Sequence, residues 1–199
     1  MERQKVMTDT TTLWIVVLLG ATAVLTFVGI ASRQSRARRE ALRRRFGPEY
    51  DRAVLVHGSP VRAERELAAR ARRVTRFHLR DLDDVTRARF ATAWSRIQGR
   101  FVDDPSEAVL EANTLIKEVM LAIGYPADKF DQRTADLSVD HPNVVQHYRA
   151  AHALVESNQN GKADTEELRQ AVVHYRALFA ELIERQVVSA DPALRQLHA

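Results

Sequence analysis

The chain of 199 residues contains no cysteine, which excludes disulfides and thiolate metal sites and leaves the redox compartment unreadable from thiols. Its 7 glycines form no Walker loop and no GxGxxG, and neither GxSxG nor HExxH occurs. The commonest nucleotide-binding, serine-nucleophile and zinc-protease signatures are therefore missing together. No internal repeat and no low-complexity linker is present. Strong overall charge bias is missing too, once the charges are located. The net charge of +4 and pI near 9.7 suggest a nucleic-acid binder, yet residues 32–45 alone hold seven arginines and one glutamate. Residues 1–31 balance Arg3 and Lys5 against Glu2 and Asp9, so residues 46–199 carry a net charge of −2. The basicity belongs to one short segment.

What is present begins with an apolar run. Leu13–Ala31, LWIVVLLGATAVLTFVGIA, is uncharged over nineteen residues, about 28 Å as a helix at roughly 1.5 Å per residue. That length predicts a membrane-spanning helix. Gly29-Ile30-Ala31 offers small residues where a signal peptidase could cut, but Arg33, Arg36, Arg38, Arg39, Arg43, Arg44 and Arg45 follow at once. Positive charge there resists translocation. The reading is an uncleaved anchor in a bacterial inner membrane, N-terminus out and C-terminal domain in the cytoplasm. The same arginines serve either as a topology signal or as a contact for anionic lipid headgroups. Nucleic acid is a third reading of the run, which lacks the interleaved aromatics and glycine-rich loop such binding favours.

Beyond residue 45 the apolar fraction is ordinary, 45% for the whole chain with 28% charged residues, a balance that argues against disorder. FGPEY, HGSP, DDPSE, GYPAD, DHPN and NQNGKAD mark breaks, and apolar residues between them recur at helical spacing. The expectation is an all-α fold: a short extracytoplasmic segment (1–12), the transmembrane helix (13–31), an Arg-rich juxtamembrane segment (32–45), a helical stalk or wrapping segment (46–80), a helical bundle (81–187) and a frayed tail (188–199). Phe90, Trp94, Ile97 and Phe101 form one stripe. Asp104, Pro105 and Glu107 open the next helix as a cap, and Ala112, Ile116, Val119 and Ile123 line its buried face. Val144, Tyr148, Ala151 and Val155 mark a further helix starting near His141-Pro142, and Leu168, Val172, Tyr175, Phe179 and Leu182 mark the last. Arg149 and Arg176, beside the two core tyrosines, are expected to reach solvent. Val54 and Leu67 are the contacts that would hold a wrapping segment.

Several stretches invite a site. ESNQNGKADTEE, Glu156–Glu167, lies over the EF-hand template with Asn158, Asn160, Gly161, Asp164 and Glu167 in ligand or turn positions. Glu156 stands where aspartate is required and Ala163 where an apolar core residue is expected. A helical hairpin turning at Gly161, with Asp164 and Glu167 as a capping box, accounts for it better. His141, His147, His152 and His174 suggest a metal, but His147 and His152 are five apart and point roughly 140° apart on a helix. Asp103, Asp104, Asp136 and Asp140 flank helix ends, where carboxylates serve as caps.

RRFGPEYDRAV, RFVDDPSEAVLEAN, ADLSVDHPNVVQHYRAAH and LRQAVVHYRALFAELI resemble a family of small bacterial proteins. That resemblance implies a bacterial source and a layout of one N-terminal membrane segment, a basic stretch and a helical domain. It brings no activity and no functional residue. The function expected from the sequence is a membrane-anchored interaction or scaffolding module without chemistry of its own, with no cofactor, no small-molecule substrate and a protein partner at the membrane. Two alternatives stand beside it. One is a metal-dependent or hydrolytic enzyme whose pocket gathers His141, His147, His152, His174 and Asp136. The other is a membrane tether for nucleic acid through the arginines.

Overall fold

The computed structural model describes the backbone of residues 2–190, with side chains described for 32–183 and for eight residues between Trp14 and Ile30. Eight helices and no strand occur among the described residues: α1 (Glu2–Phe46), α2 (Pro48–His57), α3 (Pro60–Val74), α4 (Asp84–Arg100), α5 (Pro105–Ile123), α6 (Phe130–Asp140), α7 (Val145–Gln159) and α8 (Thr165–Ala190). The all-α expectation is met. Residues Met1–Arg44 and Arg45–Ala199 form two compact units. Of the expected tail, 191–199 lie outside the described residues, and 188–190 continue α8.

The first unit corrects the membrane reading. Leu13–Ala31 lie within α1, and among the described residues no helix is long and apolar enough to cross a membrane. A span needs about 20 consecutive, predominantly apolar residues, and the side chains described in this stretch are Trp14, Leu18, Leu19, Thr22, Leu25, Thr26, Phe27 and Ile30. Two of these are threonines that donate to backbone carbonyls one turn back, at 2.5 and 2.9 Å. The other side chains of 13–31 lie outside the described residues. With the transmembrane helix go the integral single-span partnership and the inner-membrane placement with its outward N-terminus.

The second unit is built on capped, short-looped helices. Asp83 accepts from the Thr86 N–H at 2.7 Å and Asp104 from the Glu107 N–H at 3.0 Å, each satisfying an amide that the first turn leaves without a partner. Asp164 and Glu167 close a reciprocal box at 2.8 and 3.0 Å, as their spacing predicts. Pro48, Pro60 and Pro105 begin their helices, where a missing N–H costs nothing.

Helices α4, α5, α7 and α8 enclose the main core. Trp94 stacks on Phe179 at 5.1 Å between centroids, and Ile116, Val119, Tyr148, Ala151, Tyr175, Leu178 and Leu182 are buried. The buried Tyr175 hydroxyl donates to Asn113 Oδ1 at 3.0 Å, satisfying a polar group that burial would otherwise penalise. Helices α2 and α3 pack on each other, and α3 lies against α6. Residues 46–80 therefore wrap rather than form a stalk, with Leu67 fully buried and Val54 half-buried. Arg80 ties the following loop to the end of α5, its N–H donating to the Ile123 carbonyl at 2.8 Å and its Nε to Ala122 at 2.9 Å.

Candidate functional site

Charge is drawn inward where α2, α3, α6 and α7 meet. Glu49 follows Pro48 at the start of α2, where a carboxylate favours the positive end of the helix dipole, and is only 1% exposed. The Arg149 guanidinium grips it with both terminal nitrogens, Nη1 on Oε1 and Nη2 on Oε2, the latter at 2.9 Å. Arg70 approaches it at 3.8 Å while donating to Glu66 at 3.1 Å and to the Ser138 hydroxyl at 3.4 Å. One turn along α3, Arg73 donates through Nε to Asp136 Oδ1 at 2.7 Å, and Gln132 reaches both oxygens of the same carboxylate at 3.0 and 3.1 Å. Bidentate guanidinium pairing offsets part of the desolvation cost of these buried charges. Arg149 is accordingly half-buried and turned onto Glu49 rather than free in solvent as expected, while Arg176 is exposed. A cleft of about 230 Å³ opens beside the cluster, lined by Glu49, Arg52, Arg70, Asp131 and Arg149. The Glu49 carboxylate facing it is held on both oxygens by Arg149 with Arg70 alongside, and together with Arg73 on Asp136 the cluster is a clamp on four helices.

The sequence candidates for an enzyme pocket are dispersed. Asp136 belongs to the clamp. His141 meets Glu181 at 3.1 Å. His152 stacks on Phe130 at 3.6 Å between centroids, and burial pushes its pKa below the ordinary imidazole value against the opposing pull of Glu156. Only His147 and His174 come together, Nδ1 to Nδ1 at 2.9 Å across α7 and α8. Burial and then the neighbouring His147 lower the pKa of His174. They stand 27 positions apart in the chain, a separation that gives no spacing signal by which the sequence could pair them. None of the four lines the cleft beside Glu49 or the cleft between α4 and α5. Among the described residues no group of three or more histidines or carboxylates could hold a metal. In the loop laid on the EF-hand template, the Glu167 carboxylate accepts from the Asp164 backbone and Gly161 adopts φ +66°, the helical-hairpin arrangement.

Arg33, Arg36, Arg38, Arg39, Arg43, Arg44 and Arg45 are all exposed. At 3.6 residues per turn, Arg33, Arg36, Arg39, Arg43 and Arg44 share one side of α1, with Glu40 among them and Arg38 turned away.

A second cleft, of about 340 Å³, runs between α4 and α5. Ala93, Ile97, Leu110 and Leu115 form its floor. Its walls differ in sign, with Arg96 and Arg100 on α4 and Glu107, Glu111 and Glu118 on α5. Arg100 and Glu111 pair across it at 2.6 Å. Arg96 and Glu118 are exposed. Sequence reading finds the buried stripes of both helices but not this groove, because its polar walls are charges that periodicity assigns to a solvated face. No family model, curated protein or solved structure matches the chain.

Proposed function

We propose that the chain is a helical interaction module without chemistry of its own, which receives an amphipathic helix of a partner protein along the α4–α5 groove. The observation that carries this reading is the groove's construction, an apolar floor between a basic and an acidic wall. A helix laid in a groove contributes its apolar stripe for affinity, and flanking charges set its register and direction more than its affinity. Two walls of opposite sign favour one orientation of a partner whose own flanks are acidic on one side and basic on the other.

A photoreactive phenylalanine analogue at Thr114, an exposed residue lining the groove, tests this in cells that make the chain natively. One discrete covalent adduct is expected, lost when Arg96→Glu and Glu118→Lys are introduced together. The same probe at Gln98, exposed on α4, should capture none of that partner. Equal capture from Gln98, or an adduct indifferent to the charge reversals, rejects the groove as the interaction surface.

A further inference from the structure

We propose that the cleft beside Glu49 binds a small α-amino acid, its carboxylate held from α2 and its ammonium from α6. This goes beyond the α4–α5 groove and does not rest on it. Arg52 and Val56 of α2 line one side of the cleft and Asp131 and Ala135 of α6 another, with Arg70 and Arg149 joining them from α3 and α7. Its volume of about 230 Å³ falls below the roughly 300–1,000 Å³ of pockets for drug-sized ligands, so the occupant is small. The exposed Val56 and half-buried Ala135 suit a short aliphatic side chain.

The charge left over in the cleft selects the ligand. Glu49 is taken up by Arg149, and Arg70 is divided between Glu66, Ser138 and its approach to Glu49. Among the described residues Arg52 makes no hydrogen bond or ion pair, and neither does the Asp131 carboxylate, its electrostatic pull on His152 aside. Both side chains are exposed. They stand on different helices, each fixed by the clamp: Arg149 ties α2 to α7 through Glu49, and Arg73 ties α6 to α3 through Asp136. A lone anion would meet Arg52 and leave Asp131 opposing it, whereas a lone cation would do the reverse. A zwitterion satisfies both, and walls already held in place lower the ordering cost of binding it. The carboxylate end gains further donors, because a guanidinium carries five N–H groups and those of Arg70 and Arg149 are only partly engaged by Glu49, Glu66 and Ser138.

Titration of the ¹⁵N-labelled full chain with L-alanine and with L-valine, followed by nuclear magnetic resonance, tests the site. At least one of the two should saturate in the millimolar range, with the shifting amides concentrated in α2 and α6. Arg52→Gln and Asp131→Asn should each weaken binding about tenfold, the loss of one contact to a charged group. Both positions are exposed and outside the clamp, so the fold survives either change. N-acetyl-alanine, which lacks the cation, and alaninamide, which lacks the anion, should each bind about tenfold more weakly than alanine. N-acetyl-alanine shifting the same amides at the same concentrations as alanine would show a plain anion site and overturn the proposal. Failure of both amino acids to saturate the wild-type chain, or binding undiminished in both variants, overturns it as well.

Discussion

Gly124 ends α5 under two separate constraints. Its φ of +110° is one that side-chain-bearing residues rarely adopt, and an added Cβ would fall 2.6 Å from the His78 carbonyl oxygen, in the loop that Arg80 ties down. Gly58, at φ +64°, ends α2 with nothing within 4 Å of the same position. Gly58→Ala should therefore lose only what a left-handed alanine costs, about 1–2 kcal/mol. Gly124→Ala should lose more, because backbone must move as well. For a domain of this size each kcal/mol lowers Tm by roughly 2–4 °C. Thermal unfolding of the two variants side by side measures the gap, and equal losses would deny the His78 contact. The helix end itself is legible in GYPAD, where Gly124 precedes a proline by two positions. The approach of His78 is not, because it depends on a loop returning from 46 residues earlier in the chain.

At the scale of helices, the bundle divides into parts the sequence reveals and parts it conceals. Helices α4, α5, α7 and α8 bury stripes of large apolar residues at helical spacing, and every residue of those predicted stripes is buried except Phe101, Val144 and Val172, which are half-buried. Helices α2 and α3 bury small residues and charge instead: Ala53, Ala63 and Glu49 alongside Tyr50 and Leu67. Apolar periodicity is blind to an interface of that kind. Helix α6 is also hidden, because Asp136, Leu137, Ser138 and Val139 are buried in succession, which erases any amphipathic stripe. Its partner across the interface is recognisable only once Arg73 is seen on Asp136.

The Glu49 clamp gives this element-level account an energetic test. Glu49→Gln keeps the shape but leaves Arg70 and Arg149 facing a neutral group, and breaking a buried pair in this way costs about 3–5 kcal/mol. The double variant Glu49→Leu/Arg149→Met removes that pair, leaves Arg70 with Glu66 as its remaining carboxylate partner, and should recover part of that loss. Urea denaturation of Glu49→Leu, Arg149→Met and the double variant gives the coupling. If Glu49→Gln unfolds at the wild-type midpoint, the cluster is not holding the four helices.

For the whole molecule, charge and core are segregated along the chain. The arginines of 32–45 carry the basicity, whereas every buried side chain among the described residues is Phe46 or later. The nineteen uncharged residues before the arginines are conspicuous by composition, yet among the described residues no helix is long and apolar enough for a span. The segregation predicts that residues 45–199 fold alone. They contain the clamp, the groove, the histidine pair and the stacked Trp94 and Phe179. About 150 residues suffice for one cooperative core. A chain starting at Arg45 should give a single urea transition, monitored by tryptophan fluorescence from Trp94, with a midpoint and slope matching those of the full chain. Because the slope scales with the surface exposed on unfolding, a lower slope would mean that residues 1–44 contribute buried surface to the cooperative unit, and the division at Arg45 would fail.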